Sequence, residues 1–247
     1  MHPRKVATLT GWLMVITFVT SIPAYFFCYA PVRDNPGLIT GAGADPTTSV
    51  ALGALLELIL IVANIGTAVV PYALFKRYSQ GLALGYVAAR LVEAMFIAIG
   101  ALSMLTFLFM RQEGTAGTDT ALGEVFVAIY DRAFLLGPGI FAGVANGMIL
   151  GYLMYRTGLV PRGLAIFGLI GGPALTAAAT AIMFGVIDRG STLQGIATIP
   201  EFIWELSFGI YLIVKGFKPS PLLTRERGEP TTRVAVAHPD AAHVTQR

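Results

Sequence analysis

The feature that most constrains this chain is a series of apolar runs, each about as long as a bilayer is thick, separated by short segments that carry most of the charge. A helix needs about 20 apolar residues to cross the hydrocarbon core. Lipid offers no partner to a backbone N–H or C=O, so a crossing segment must bond its own, as a helix does. The runs fall at about 7–30, 48–75, 81–110, 133–155, 163–187 and 196–214. Composition agrees, with 55% apolar and only 13% charged residues, against about 25% charged in a soluble domain. The expected fold is all-α: an integral membrane bundle of six transmembrane helices within residues 1–217. Residues 218–247 are rich in Pro, Thr and charge and lack apolar periodicity, which predicts a disordered cytoplasmic tail.

The first run has two readings. Arg4 and Lys5 before an apolar core, with Cys28-Tyr29-Ala30 after it, resemble a signal peptide and its cleavage site. The run, about 24 residues, exceeds the usual signal core of about 7–15, so the reading adopted is a retained span, kinked at Pro23. In the fourth span, Gly137-Pro138-Gly139 predicts loosened first turns, and Ala121–Arg132 reads as an amphipathic lead-in outside the span.

An even number of spans puts both ends of the bundle's chain on one side, and the basic residues then sort. One side collects Arg4, Lys5, Lys76, Arg77, Arg156, Arg162, Lys215, Lys218, Arg225 and Arg227; the other holds Arg33, Arg111, Arg132 and Arg189. The positive-inside rule makes the first side, with both termini, cytoplasmic.

Several polar residues interrupt the apolar runs. Arg90 and Glu93, at i and i+3, share a helix face and can pair. They lie roughly 14–18 Å into their span at about 1.5 Å per residue. Glu57 and Asn64, seven apart, share a face of the second span; Asn146 lies in the fourth; Glu201 and Glu205 are i and i+4 in the sixth. Counted from the outer ends, Glu57, Glu93 and Glu205 come to similar depths. Arg90 is expected to pair with Glu93 within reach of Glu205 or Glu57. One arginine cannot neutralise three glutamates, so at least one should be protonated, hydrated or matched to a bound cation. Glu201 is expected near enough the outer interface to meet water. An ionisable group at the centre of a spanning helix costs about 2.5–3.5 kcal/mol on insertion scales, so these residues are read either as a polar core that locks helices or as a ligand or ion site. Asp131 and Arg132 are expected in water, and Asn64 and Asn146 as helix-to-helix bonds. Gly168, Gly171 and Gly172 are expected where helices approach closely.

The segments LGALLE (52–57), GLALGYVAARLVEA (81–94), FLLGPG (134–139), GYLMYRTGLVPR (151–162), GLIGGP (168–173) and PEFIWELSFGIYLIVKGF (200–217) occur in order across most of the chain. With them the chain resembles the bacterial domain-of-unknown-function family 4386. The resemblance implies a multi-span protein of a bacterial plasma (inner) membrane and implies no activity. It departs at Tyr130, just before FLLGPG, where relatives carry a histidine; a metal or proton role at that position is put in doubt here.

Excluded chemistry narrows the rest. The histidines, His2, His238 and His243, lie near the ends, so no histidine-built metal or haem site and no Ser-His pair is expected in the spans. There is no G-x-x-x-x-G-K-[ST] phosphate loop and no H-E-x-x-H zinc motif. The net charge of +3 is too small to argue for nucleic acid, and lone Cys28 forms no internal disulfide. Membrane lipid is the expected partner, no cofactor or metal is expected, and an enzyme, on a lipid substrate, is the weakest reading. Two readings stay open. One is a protein that moves a proton, cation or small polar solute through a glutamate-lined cavity. The other is a structural or accessory membrane protein whose buried charges only hold the helices together.

Overall fold

The structure, a computed structural model, describes residues 2–224. Six helices are long and apolar enough to cross a membrane: α1 (Pro3–Asp34), α2 (Thr47–Phe75), α3 (Gln80–Glu113), α4 (Ala121–Thr157), α5 (Arg162–Met183) and α6 (Thr192–Val214). No strand occurs among the described residues. Local chemistry sets several helix ends. Ser79 and Ser191 cap α3 and α6 by accepting the N–H of Leu82 and Gln194. Gly114 and Gly158, with φ of 63° and 66°, end α3 and α4 in the left-handed turn that glycine adopts without a Cβ penalty. Before α2, Asp45 accepts from the hydroxyl and N–H of Thr47, which hold its carboxyl below the usual carboxylate range.

The helices alternate in direction, so the connecting segments gather at two ends. At one end Arg4 donates to the carbonyls of Ile213 and Val214, and Lys218 N–H donates to Leu159 O. At the other end Arg111 donates to the carbonyls of Leu38 and Ala42 and lies 3.8 Å from Asp45. The first end, here the basic end, carries the short turns after α2 and α4. The far end carries the longer segments, including a 3₁₀ turn at Pro36–Thr40.

Several expected boundaries move. The amphipathic lead-in is continuous with the fourth span, because Ala121–Phe134 runs on without a break into wide i→i+5 turns at Leu135–Phe141 and Gly143–Leu150. The loosening expected at Gly137-Pro138-Gly139 thus spreads over four turns, helped by Gly143 and Gly147. α1 is helical to Pro23, widens at Ala24–Cys28 and resumes at Ala30–Asp34, beyond the expected end at residue 30. α5 stops at Met183, short of 187, because Gly185, at φ 69°, turns the chain. The tail does not start at 218: Ser220 donates to Thr157 O, and Leu222 and Leu223 pack on the core. The remainder of the expected tail, 225–247, lies outside the described residues.

Two contacts between small residues draw the bundle together. Gly11 of α1 meets α6, where an added Cβ would stand 2.6 Å from Gly209 O. On the opposite side α4 and α5 touch backbone to backbone: a Cβ on Gly147 would stand 2.2 Å from Gly172 Cα, and one on Gly172 2.4 Å from Gly143 O. Gly168 accommodates the Trp204 indole. The expected packing role of Gly168 and Gly172 is therefore seen. Small residues at such sites let helices approach closely where burial of apolar area gives no drive, since lipid is as apolar as Leu.

Candidate functional site

Each polar residue singled out within the spans as a polar core or ligand site faces the interior. Glu57, Asn64, Arg90, Glu93, Asn146 and Glu201 are all buried, and Glu205 is partly accessible. They form two groups, and all but Asn146 line one cavity.

The first group centres on Arg90. Its Nη1 is 2.8 Å from Glu93 Oε2, the i,i+3 pair. Its Nε donates to Thr67 Oγ1 at 3.2 Å and towards Asn64 O at 3.4 Å. The Thr67 hydroxyl in turn donates to Asn64 O at 2.6 Å. Arg90 therefore ties α3 to α2 through one hydroxyl and one carbonyl, while its carboxylate partner Glu93 lies on its own helix. A buried guanidinium is tolerable only when its N–H groups find such partners. Beside it, Tyr86 donates to Asn146 Oδ1 at 3.1 Å, and Asn146 Nδ2 donates to Glu205 Oε1. Asn146 O accepts from Trp204 Nε1 at 2.9 Å. Asn146 is thus the helix-to-helix link the sequence suggested, joining α3, α4 and α6. Glu205 and Glu201 both lie within electrostatic range of Arg90.

Glu57 stands apart from this group. Its two oxygens accept from Tyr29 and Tyr130, each at 3.1 Å. Of the two glutamates expected within reach of Arg90, Glu205 is the one near it, and Glu57 is held instead by two phenols, from α1 and α4. Tyr130 occupies the position where the resemblance implies histidine, and here it is a donor to a carboxyl.

Glu201 also departs from expectation. It does not meet water at an interface; it is only 3% exposed. Neither oxygen has a hydrogen-bond partner among the described residues. The reason is its seat. Oε2 lies 2.7 Å from where a Cβ on either Gly147 or Gly171 would stand. Glycines of α4 and α5 make room for the carboxyl, but their helices already use their own N–H groups. Gly171 therefore houses a carboxyl as well as allowing close packing.

A cavity of about 790 Å³ joins these groups, with walls from all six spanning helices. Glu57, Asn64, Arg90, Glu93, Glu201 and Glu205 all line it; Asn146 does not. Between the polar floor and the far end the walls are mostly apolar, with Phe18, Ile22, Phe96, Ile97, Phe134 and Ile199 among them. At the far end Asp131 is not free in water as expected. It is paired with Arg33 at 3.3 Å and Arg189 at 2.5 Å, and it lines the cavity; Arg132 beside it is exposed. Both arginines also donate to the Tyr25 hydroxyl, at 2.7 and 2.9 Å, and Arg33 lies 4.0 Å over the Tyr25 ring.

The residues that sequence reasoning missed are the partners: Tyr29, Thr67, Tyr86, Tyr130 and Trp204. Two left a local signal, since Tyr86 is one turn before Arg90 and Thr67 is three residues after Asn64. No group of three or more His, Cys, Asp or Glu arranged to hold a metal occurs among the described residues.

An all-helical bundle with six apolar helices around a polar-floored cavity has the build of a multi-pass membrane protein. The chain belongs to the family described as Domain of unknown function (DUF4386), whose model matches residues 9–216. No curated protein and no solved structure matches it.

Proposed function

We propose that the protein moves a proton, cation or small polar solute across a bacterial plasma membrane, with both termini cytoplasmic and the Arg33–Asp131–Arg189 end outside. One observation carries the reading: a single cavity touches Glu57, Arg90, Glu93, Glu201 and Glu205. A bundle held only by its charges has no need of open space beside them, and intramembrane ionisable groups on a cavity are the usual mark of a solute or ion path. The wide turns of α4 add support. Leu135, Pro138 and Gly139 lie on them and line the cavity, and such turns inside helices are frequent at functional sites.

The structural or accessory reading draws on the other half of the site. The Arg90–Glu93–Thr67 and Tyr86–Asn146–Glu205 sets are satisfied within the protein and tie α2, α3, α4 and α6 together. Reconstitution separates the two. Proteoliposomes with an inside-negative potential, assayed for protons with an enclosed pH-sensitive dye and for sodium and methylammonium with radiolabelled tracers, should show flux above empty liposomes. Glu201→Gln should reduce it. Flux equal to that of empty liposomes for every solute, from protein that is folded and inserted, would reject transport and leave the structural reading.

A further inference from the structure

Resting on that reading of the cavity, we infer that its ligand is a lipophilic cation, an amine or onium group carried on an apolar body, which enters from the bilayer between α1 and α6. Three observations combine.

The first is the unbonded carboxyl. Glu201 is buried, lines the cavity and has no hydrogen-bond partner for either oxygen among the described residues. A buried polar group without a partner is costly, and a buried lone charge more so. On the same cavity floor stand Glu57, Glu93 and Glu205, with Arg90 as the guanidinium at that level. Arg90 is engaged by Glu93, Thr67 and Asn64. A cationic group beside Glu201 and Glu205 supplies the missing partner.

The second is the wall. Above the carboxyls the cavity presents aromatic and aliphatic side chains, among them Phe18, Phe96, Phe134, Ile97 and Ile199. Its volume of about 790 Å³ falls within the roughly 300–1,000 Å³ of cavities that enclose organic ligands. Ring faces attract a desolvated cation. A small hydrated ion gains nothing from such walls; an organic cation gains both the apolar contact and the charge pairing.

The third is the route. The far-end mouth carries Arg33 and Arg189 against Asp131, an excess of positive charge that opposes a cation arriving from water. The flank between α1 and α6 differs. These helices meet at Gly11 and Gly209 and touch through Phe18 and Phe202, whose ring centroids are 5.3 Å apart; nearer the far end Arg189, in the segment just before α6, donates to Tyr25 of α1. Towards the far end from Phe18 and Phe202, the apolar side chains of Ile22, Phe26 and Ile199 line the cavity and are 37%, 62% and 54% exposed. That is an apolar window facing lipid.

The test uses the full chain purified in detergent and radiolabelled tetraphenylphosphonium in equilibrium dialysis. Saturable binding of one cation per chain is expected, not displaced by the neutral triphenylphosphine oxide. Glu201→Gln and Glu205→Gln should each weaken it about tenfold or more, as for loss of one partner of a buried charge pair. Ile199→Trp, which fills the window from a surface position, should slow association, as measured by rapid filtration of the protein reconstituted in liposomes. No saturable binding by folded wild type, equal competition by the neutral oxide, or wild-type affinity in both folded variants overturns the ligand class; an unchanged association rate in Ile199→Trp overturns the route. If either carboxyl variant fails to fold, competition by the oxide on wild type decides. Methylammonium flux in proteoliposomes separates the two levels. Glu201-dependent methylammonium flux without tetraphenylphosphonium binding rejects the lipophilic ligand and keeps the cavity's transport role; absence of both rejects both.

Discussion

At the scale of single residues, the site divides into groups that are satisfied and two that, among the described residues, are not: the Glu201 carboxyl and the side-chain amide nitrogen of Asn64. Asn64 joins helices through its backbone carbonyl and not through the side-chain bond expected of it. Arg90→Ala leaves Glu93 buried without its cation. Breaking a buried pair from one side costs about 3–5 kcal/mol in soluble proteins, and a clear drop in the melting temperature in detergent is expected. Glu93→Gln in the same chain should return part of the loss, because an amide needs no counter-ion. A double mutant no better than the sum of the singles would mean that the pair is not coupled. Tyr130→Phe removes one of two donors to Glu57. It should cost about 1–3 kcal/mol, the penalty for an acceptor left short in a buried place, while Glu57→Gln in the Tyr130→Phe background should cost less than on its own. Equal melting of Tyr130→Phe and wild type would show that Glu57 does not depend on this phenol. The Arg90–Glu93 pair was legible from sequence because i,i+3 spacing on one helix is local geometry. The phenols on Glu57 were not, since Tyr29 and Tyr130 are far from it in sequence and on other helices.

At the scale of elements, glycine position separates packing from propensity. Gly147 is pressed against Gly172, and a Cβ there would meet backbone at 2.2 Å. Gly147→Ala must push α4 from α5, and overpacking of this kind typically costs about 1–3 kcal/mol. It also crowds Glu201, so lower stability and altered cation binding should come together. Gly85, inside α3, has its nearest neighbour at an ordinary 3.8 Å, Ile149 Cδ1. Gly85→Ala should therefore keep or raise the melting temperature, in line with the roughly 0.5–1 kcal/mol by which Ala exceeds Gly inside a helix. If the two variants melt alike, the α4–α5 contact is looser than the structure has it. Both glycines look alike in sequence; what differs is the surface each one meets.

At the scale of the whole molecule, the connecting segments occupy two ends, and the proposed orientation, resting on the basic bias, puts the basic end in the cytoplasm. A phosphatase that is active only outside the cell, fused after Phe217, should be inactive; fused after Gly117, in the far-end segment between α3 and α4, it should be active. Activity after Phe217 would reverse the orientation or change the number of crossings. The packing of Leu222 and Leu223 on the core makes a further expectation. Ending the chain at Phe217 should lower thermal stability relative to ending it at Thr224, because the first removes Ser220 from Thr157 O and both leucines from the core.

The sequence by itself determined the number of helices, their alternation, the sorting of basic residues to two ends and the one charge pair within a helix. All of these follow from run length, from the need of a backbone in lipid to bond itself, and from the 3.6-residue repeat. It also placed Glu57, Glu93, Glu201 and Glu205 inside apolar helices, but could not say which would meet. Only the tertiary structure decided that Glu57 belongs with two tyrosines, that Glu201 is held unbonded among glycines, and that Asp131 is drawn into an ion pair at a cavity mouth. Those outcomes depend on which helix faces come together and how closely. In this bundle that is decided by Gly11 against Gly209 and by Gly143 and Gly147 against Gly172, contacts between residues that carry no side chain and so leave no apolar pattern to read.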